Sequence, residues 1–308
     1  MSNEQPSLDE LRAAIDGVDS EILALLWRRA RLAAAVGERK QSGSGSPFYV
    51  PSREASIIRR LLEENQHQKS GRVQLPDAAV HGVFREIIGA CLALEHPLTV
   101  AFLGPGGTFS HIAATRQFGA TAEYHPCCSF GEIFNMVEAE QLSYGVVPVE
   151  NSMEGAVTHV LDLFAECDSS VQICSEIQLE IHHQLFSYAS SLDEIHQVVS
   201  HSQPLAQCRS WLESNLPQAE LIESSSTVEG AERIVAARNR SSRHGDGSGA
   251  AAIDWRHAAT IGSYSLVDYC DLNLLQRNIE DQRDNMTRFY VIGRHDSPPS
   301  GRDKTALI

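Results

Sequence analysis

With 308 residues, 42% of them hydrophobic, the chain has the length of about two domains and enough apolar material for real cores, which excludes a disordered chain. A formal net charge of −15 argues against nucleic-acid and anionic-membrane surfaces, which depend on a broad positive field, and leaves small anionic metabolites open because a pocket needs only local charge. Seven cysteines without regular spacing, an acidic polar N-terminus and the lack of any apolar run of membrane length point to reduced thiols in a cytoplasmic protein.

The charge is unevenly shared. Residues 1–96 carry 12 Lys+Arg against 13 Asp+Glu, whereas residues 97–308 carry 13 against 27, which supports two domains. In the first part, Leu8, Leu11, Ile15, Val18, Ile22, Leu25, Leu26, Leu32 and Val36 recur at helical spacing, predicting one helix from Leu8 to Lys40. At 1.5 Å per residue it spans roughly 50 Å, too long to pack alone, so a partner helix or chain is expected. The QSGSGSP segment ends it. A second helix starts at Pro51-Ser52 and carries Ile57, Ile58, Leu61 and Leu62 on one face, and a third runs from Pro76-Asp77 toward Pro97.

From Leu98 the period changes. LTVAFLG, the glycine turn 104–107 and SHIAATRQFG read as strand, turn and helix of an α/β unit. YGVVPVEN, HQVVSHS and TRFYVIG read as buried strands, and FGEIFNMVEAEQ, PLAQCRSWLESNLP and TVEGAERIVAARN as helices. SSRHGDGSG, residues 241–249, reads as a surface loop, and DKTALI at 303–308 as the start of a further strand. Residues 239–275 as a whole are long and irregular.

The candidate chemistry begins with three cations on the first helix, Arg12, Arg29 and Lys40. At about 100° per residue, Arg29 and Lys40 share a face, while Arg12 is too far along the axis to reach the same pocket within one chain. Glu54 opens the second helix, and Glu95 follows Cys91 by one turn on the third. Spacing alone equally describes the solvated faces of amphipathic helices. In the second part, polar residues cluster at predicted strand ends. These are Thr108 and Ser110 in GPGGTFS, Asn151 and Ser152 in VPVENSMEG, Gln203 in HSQPLAQC, and Thr287 and Arg288 in DNMTRF. The glycine turn lacks the lysine of a nucleotide-binding loop. His201 is weighed as an acid–base group and read mainly as a positioning or packing residue, and His182 and His183 are expected on opposite faces of a strand. No histidine forms a metal pattern.

Arg12, the ALL segment at 24–26, Arg28-Arg29, VGERK, REA at 53–55 and FREIIGACLALE at 84–95 resemble the all-helical chorismate mutases. GPxGTFS, VPVENSxEG, HSQPLAQC and NMTRF, in that order, resemble prephenate dehydratases, so the chain is similar to the bifunctional chorismate mutase–prephenate dehydratase family. The resemblance implies a multidomain chain. It has an all-α mutase domain of three helices over 1–96, forming an interlocked homodimer, then a two-lobed α/β dehydratase domain over 97–296 built like periplasmic binding proteins. Residues 297–308 would be a linker and the start of a phenylalanine-sensing ACT domain that the chain does not continue into, so feedback by phenylalanine is expected to be weak or absent.

The family further implies that Arg12 of the partner chain, Arg29, Lys40, Glu54, Cys91 and Glu95 surround chorismate, with Lys40 and Glu95 at the ether oxygen. Glu95 must be protonated to donate there, so mutase activity is expected to fall at alkaline pH and Glu95→Gln to flatten the profile. Val50 stands where some members have an aspartate. In the dehydratase, Thr287 is implied as the catalytic residue and Arg288 as the ligand of a prephenate carboxylate, with Thr108, Ser110, Asn151, Ser152 and Gln203 lining the cleft. No cofactor is implied, and the expectation is that fixed cations grip the dianion in both cavities. Two other readings stay open: a relative acting on 4-amino-4-deoxychorismate, and a non-catalytic two-lobed anion-binding protein.

Overall fold

The computed structural model describes residues 6–42, 47–67, 74–167, 170–241, 253–296, 298–299 and 303–305. The chain divides into two compact units, one built mainly from residues 1–98 and the other mainly from Thr99–Gln117 and Tyr124–Asp296. Among the described residues no helix is long and apolar enough to cross a membrane.

The first unit holds three helices, α1 (Leu8–Gln41), α2 (Pro51–His67) and α3 (Asp77–Glu95). Ser7 starts α1 with a capping box, its hydroxyl accepting from Glu10 N–H while the Glu10 carboxylate accepts from Ser7 N–H, which satisfies two donors a helix start otherwise leaves bare. Arg39 and Lys40 lie in the last turn, where the helix dipole favours cations. Only Gly37 of α1 is buried, and Leu8, Leu11, Ile15, Val18, Ile22, Leu25, Trp27, Leu32 and Val36 are exposed, so the period seen in the sequence makes an apolar stripe that this chain alone does not cover.

The second unit has two lobes, each on its own sheet. β1 (Thr99–Leu103), α4 (Phe109–Phe118), β2 (Glu123–Cys127), α5 (Phe130–Glu138), β3 (Tyr144–Asn151), β4 (Gly155–Ala156), α6 (Thr158–Glu166) and β5 (Gln172–Glu180) begin the first lobe. The chain then crosses to β6 (Gln184–Ser187), β7 (Gln197–His201), α7 (Ser202–Gln207), α8 (Arg209–Asn215), β8 (Glu220–Ser224), α9 (Thr227–Ser241), β9 (Ala258–Gly262), α10 (Leu266–Tyr269) and β10 (Asn273–Gln276). It returns to the first lobe as β11 (Met286–Gly293). The first sheet has the order β2-β1-β3-β11-β5 with β4 on β3, and the second the order β10-β6-β9-β7-β8. Strands β1, β7 and β9 are buried at every interior position, as central strands covered on both faces require.

The helix expected over 204–217 is two helices broken at Cys208, where the backbone leaves helical geometry. The irregular 239–275 stretch supplies β9, α10 and β10, so part of the second sheet comes from residues that did not read as strands. His182 and His183 lie in the crossover between β5 and β6, not on a strand. Two such segments, 181–183 outward and 277–285 returning, are tied together. Ile181 N–H donates to Asn285 O at 2.8 Å, Ile279 N–H to His183 O at 2.9 Å and His183 N–H to the Glu280 carboxylate at 2.9 Å. Most of the 241–249 loop and the end of the 303–308 segment lie outside the described residues.

Candidate active sites

In the helical unit the site is set by one close approach. A methyl group built on Gly37 would stand 2.8 Å from Glu95 Cα and 3.0 Å from Glu95 O, so α1 and α3 touch backbone to backbone there. Lys40, one turn beyond, reaches the Glu95 carboxylate at 3.2 Å and the Phe48 carbonyl at 3.0 Å. Both side chains are largely sheltered, at 19% and 14% exposure, so the pair is less screened than a surface ion pair. Arg29 donates to Ile87 O at 3.2 Å. Cys91 is buried one turn before Glu95.

Glu54 is buried against Arg85, a residue sequence reasoning did not single out. Burial raises the Glu54 pKa, opposed by the Arg85 charge and by hydrogen bonds from Arg85 and Tyr49. Arg12 stands apart, 67% exposed and 3.4 Å from Asp9. Seventeen residues at the helical rise put it roughly 25 Å from Arg29 along α1.

In the second unit a cavity of about 390 Å³ lies between the lobes. Its floor is the register Thr287↔Asn151, which pairs the start of β11 with the end of β3. Asn151 is buried and held by its neighbours, its Oδ1 accepting from Met153 N–H at 2.9 Å and Glu154 N–H at 3.2 Å. Its amide nitrogen therefore points the other way and donates to Asn285 Oδ1 and to Thr287 Oγ1, both at 2.8 Å. Thr287 accepts that bond, and its own hydrogen has no acceptor among the described residues. The cavity wall also includes Thr108, Phe109, Ser110, His183, His201 and Gln203.

Thr108 spends its hydroxyl on the turn, donating to Leu103 O at 3.1 Å and Pro105 O at 3.0 Å. Gly107 there takes φ +85°, a conformation glycine enters without steric cost, and Ser263 and Ser265 of the other lobe each donate to its carbonyl at 3.0 Å. Ser110 is buried at the cavity. His183 is also buried, which lowers its pKa and keeps it neutral, and its Nε2 faces Gln207 Oε1 at 2.7 Å.

Arg288 and Ser152 do not line the cavity, whereas Gln203 does. Arg288 is next to Thr287 on a strand, so it projects from the opposite face, where it pairs with Glu150 and lies 3.9 Å from Glu176. Ser152 accepts from Met286 N–H at 2.9 Å and donates to Asp284 O at 3.3 Å, clasping β3 to the start of β11 outside the cavity. Gln203 reaches the cavity, but its amide N–H groups already meet the Glu154 carboxylate.

Among the described residues that line the cavity there is no lysine or arginine. The starts of α4 and α9 do border it, through Thr108, Phe109 and Ser110 and through Ser226 and Thr227, and unpaired N–H groups at a helix start favour negative charge. Glu154, Gln207 and Asn285 went unnamed in the sequence although each stands inside a quoted motif. Among the described residues no group of three His, Cys, Asp or Glu gathers as a metal site would.

Residues 11–96 match the family Chorismate mutase type II and residues 100–297 match Prephenate dehydratase. The chain is 42% identical over 301 residues to a bifunctional chorismate mutase/prephenate dehydratase of Aquifex aeolicus, covering 98% of this chain and 77% of that one. This chain belongs to the bifunctional chorismate mutase/prephenate dehydratase family. A member from Pseudomonas aeruginosa is 40% identical over 310 residues, covering 99% and 78%. Among solved structures, a prephenate dehydratase from Arthrobacter aurescens in complex with L-Phe is similar at TM-score 0.55 and 29% identity, covering 68% of this chain and 62% of that one. One from Staphylococcus aureus is similar at TM-score 0.50 and 25% identity, covering 64% and 68%.

Proposed function

We propose that this chain catalyses two consecutive steps of phenylalanine biosynthesis, the Claisen rearrangement of chorismate to prephenate and the decarboxylative dehydration of prephenate to phenylpyruvate. The observation that carries the second step is the Asn151–Thr287 bond, which leaves the threonine hydrogen to donate. Prephenate loses carbon dioxide and a ring hydroxyl as the ring becomes aromatic, so the protein's task is to orient the carboxylate and help hydroxide leave. A threonine hydroxyl held as a donor toward that oxygen does this. Helix starts and neutral donors hold the dianion, and Arg288, half-buried and paired with Glu150 on the other face of the strand, serves strand pairing.

For the first step Lys40 and Glu95 form the polar pair at the breaking ether bond, and Arg29 holds a carboxylate. The reaction needs no nucleophile, only the diaxial conformer and stabilised charge on oxygen. The second carboxylate falls to Arg12 of a partner chain in a homodimer. Support comes from the roughly 25 Å that separates Arg12 from Arg29 and from the uncovered apolar stripe of α1. The seven free cysteines fit a reducing cytoplasm.

The test is chorismate conversion by the purified chain, followed as loss of chorismate and as phenylpyruvate absorbance in base. Production of phenylpyruvate from both chorismate and added prephenate is expected. An inert protein, or one that turns over only 4-amino-4-deoxychorismate, overturns the reading.

A further inference from the structure

The Glu154 carboxylate carries no role in the chemistry above, yet it is the one acidic group on the cavity wall among the described residues. It belongs to the first lobe, in the turn between β3 and β4. Its partners belong to the second. Gln203 Nε2 lies 2.6 Å from each Glu154 oxygen, and Gln207 Nε2 lies 3.0 Å from Oε1. A carboxylate at neutral pH only accepts, so both glutamines must turn their nitrogens toward it. The Gln207 carbonyl then faces inward, where it accepts from His183 Nε2–H at 2.7 Å and from Asn285 Nδ2–H at 3.4 Å. One charge on the cavity wall thereby joins α7 of one lobe to the β3–β4 turn of the other and fixes which ring nitrogen of His183 carries its proton.

We infer that Glu154 is a positioning residue of the dehydratase, a clasp that holds the two lobes closed over the cavity through Gln203 and Gln207. It touches no reacting atom and acts on substrate affinity. If the closed arrangement is the one that binds, loosening the clasp lowers its population, and apparent affinity falls by the same fraction while the chemical step is left alone. The inference rests on the dehydratase reading. The rival physical effect has the opposite sign, because a carboxylate beside a dianion repels it and its removal would tighten binding.

The experiment compares the full-length chain with Glu154→Gln, Glu154→Ala and the double variant Gln203→Ala/Gln207→Ala, using prephenate as substrate. The carboxylate is exposed, so a change of about three- to tenfold in KM is expected for Glu154→Ala, with kcat within about twofold and a smaller shift for Glu154→Gln, which keeps one accepting oxygen. In the Gln203→Ala/Gln207→Ala background, Glu154→Ala is expected to add nothing. Amide exchange of residues 202–207 is expected to speed up in Glu154→Ala. Mutase turnover on the same samples reports intact folding.

A fall in KM on neutralising Glu154 overturns the clasp in favour of repulsion. A fall in kcat at constant KM overturns it in favour of direct participation, and full additivity in the double-variant background shows that Glu154 does not act through the glutamines. Wild-type chain without dehydratase turnover overturns the dehydratase reading itself, whereas active wild type with unaltered Glu154 variants overturns only the clasp.

Discussion

Gly37→Ala should separate the two activities with the smallest possible change. The added methyl would meet Glu95 Cα at 2.8 Å, Glu95 O at 3.0 Å and Glu95 Cβ at 3.2 Å. Two of these are backbone atoms and cannot rotate away, so the helices must part. Ordinary contact begins near 3.4 Å, which requires a shift of about 0.6 Å at Gly37. Two energies then oppose each other. Replacing a helical glycine by alanine favours the helix by about 1 kcal/mol, and overpacking a tight contact costs about 1–3 kcal/mol.

The net effect on stability is therefore small, about 0–2 kcal/mol unfavourable. The effect on catalysis is not small. Lys40 and Glu95 are placed by this contact and meet at 3.2 Å, a distance that a shift of this size disrupts. Misplacement of about 1 Å at a reacting centre costs on the order of 100-fold in rate, so a loss of about 10- to 100-fold in mutase kcat/KM is expected. The assay is chorismate loss, with dehydratase turnover of added prephenate as the internal reference, expected unchanged. Wild-type mutase kinetics in Gly37→Ala would refute the reasoning, because they would show that the α1–α3 approach does not set the Lys40–Glu95 geometry.

Thr287→Val should lower dehydratase kcat by about 10²- to 10³-fold, the usual effect of deleting one donor at a developing oxyanion, with mutase turnover retained; equal loss of both activities would indicate general damage. Ile15→Glu puts a charge into the exposed stripe of α1 and should give a monomer in sedimentation with mutase activity abolished and dehydratase activity kept; an active monomer would remove the need for a partner's Arg12. The crossover histidines should give stability a maximum near the ordinary histidine pKa of about 6.5. The Glu280 hydrogen bond raises the His182 pKa, so its stabilisation is complete below about 6.5 and is lost as pH rises through the raised value. Burial lowers the His183 pKa, so stability falls on the acid side, as pH drops from about 6.5 toward the lowered value. Melting temperatures against pH should therefore form a dome, and His182→Gln should flatten its alkaline limb while leaving the acid limb. An unchanged alkaline limb would show that the His182–Glu280 pair does not titrate with folding.

The helical unit was legible because its signal is local. Leu8 to Lys40, Pro51-Ser52 and Pro76-Asp77 mark boundaries within a residue or two of α1, α2 and α3, since helical period and end signals are written in neighbouring residues. Strands fared differently. β1, β3, β7 and β11 read clearly because they are largely apolar runs, whereas Glu220–Ser224 and Asn273–Gln276 have no buried position and mix polar with apolar residues, and become strands only by pairing with β7 and β6. Site residues divide in the same way. Thr287 and Asn151 were visible as strand-end polar groups. The outward turn of Arg288 follows from alternation along β11, but which of the two faces the cavity depends on the register with β3, a non-local fact.

That register also sets the polar groups at the cavity floor. At the Thr287↔Asn151 pair the cavity-side groups are an amide and a hydroxyl, each oriented by its neighbour. Two backbone N–H groups of the 151–154 turn set Asn151, and Asn151 sets Thr287. A guanidinium in place of this chain would bind the carboxylates more tightly, but it would stabilise the bound dianion as strongly as the transition state. Binding both equally lowers KM without raising kcat. An oriented hydroxyl does the reverse. Its bond to the departing oxygen strengthens only as negative charge collects there, so an oriented hydroxyl suits a reaction whose new charge appears on the leaving group.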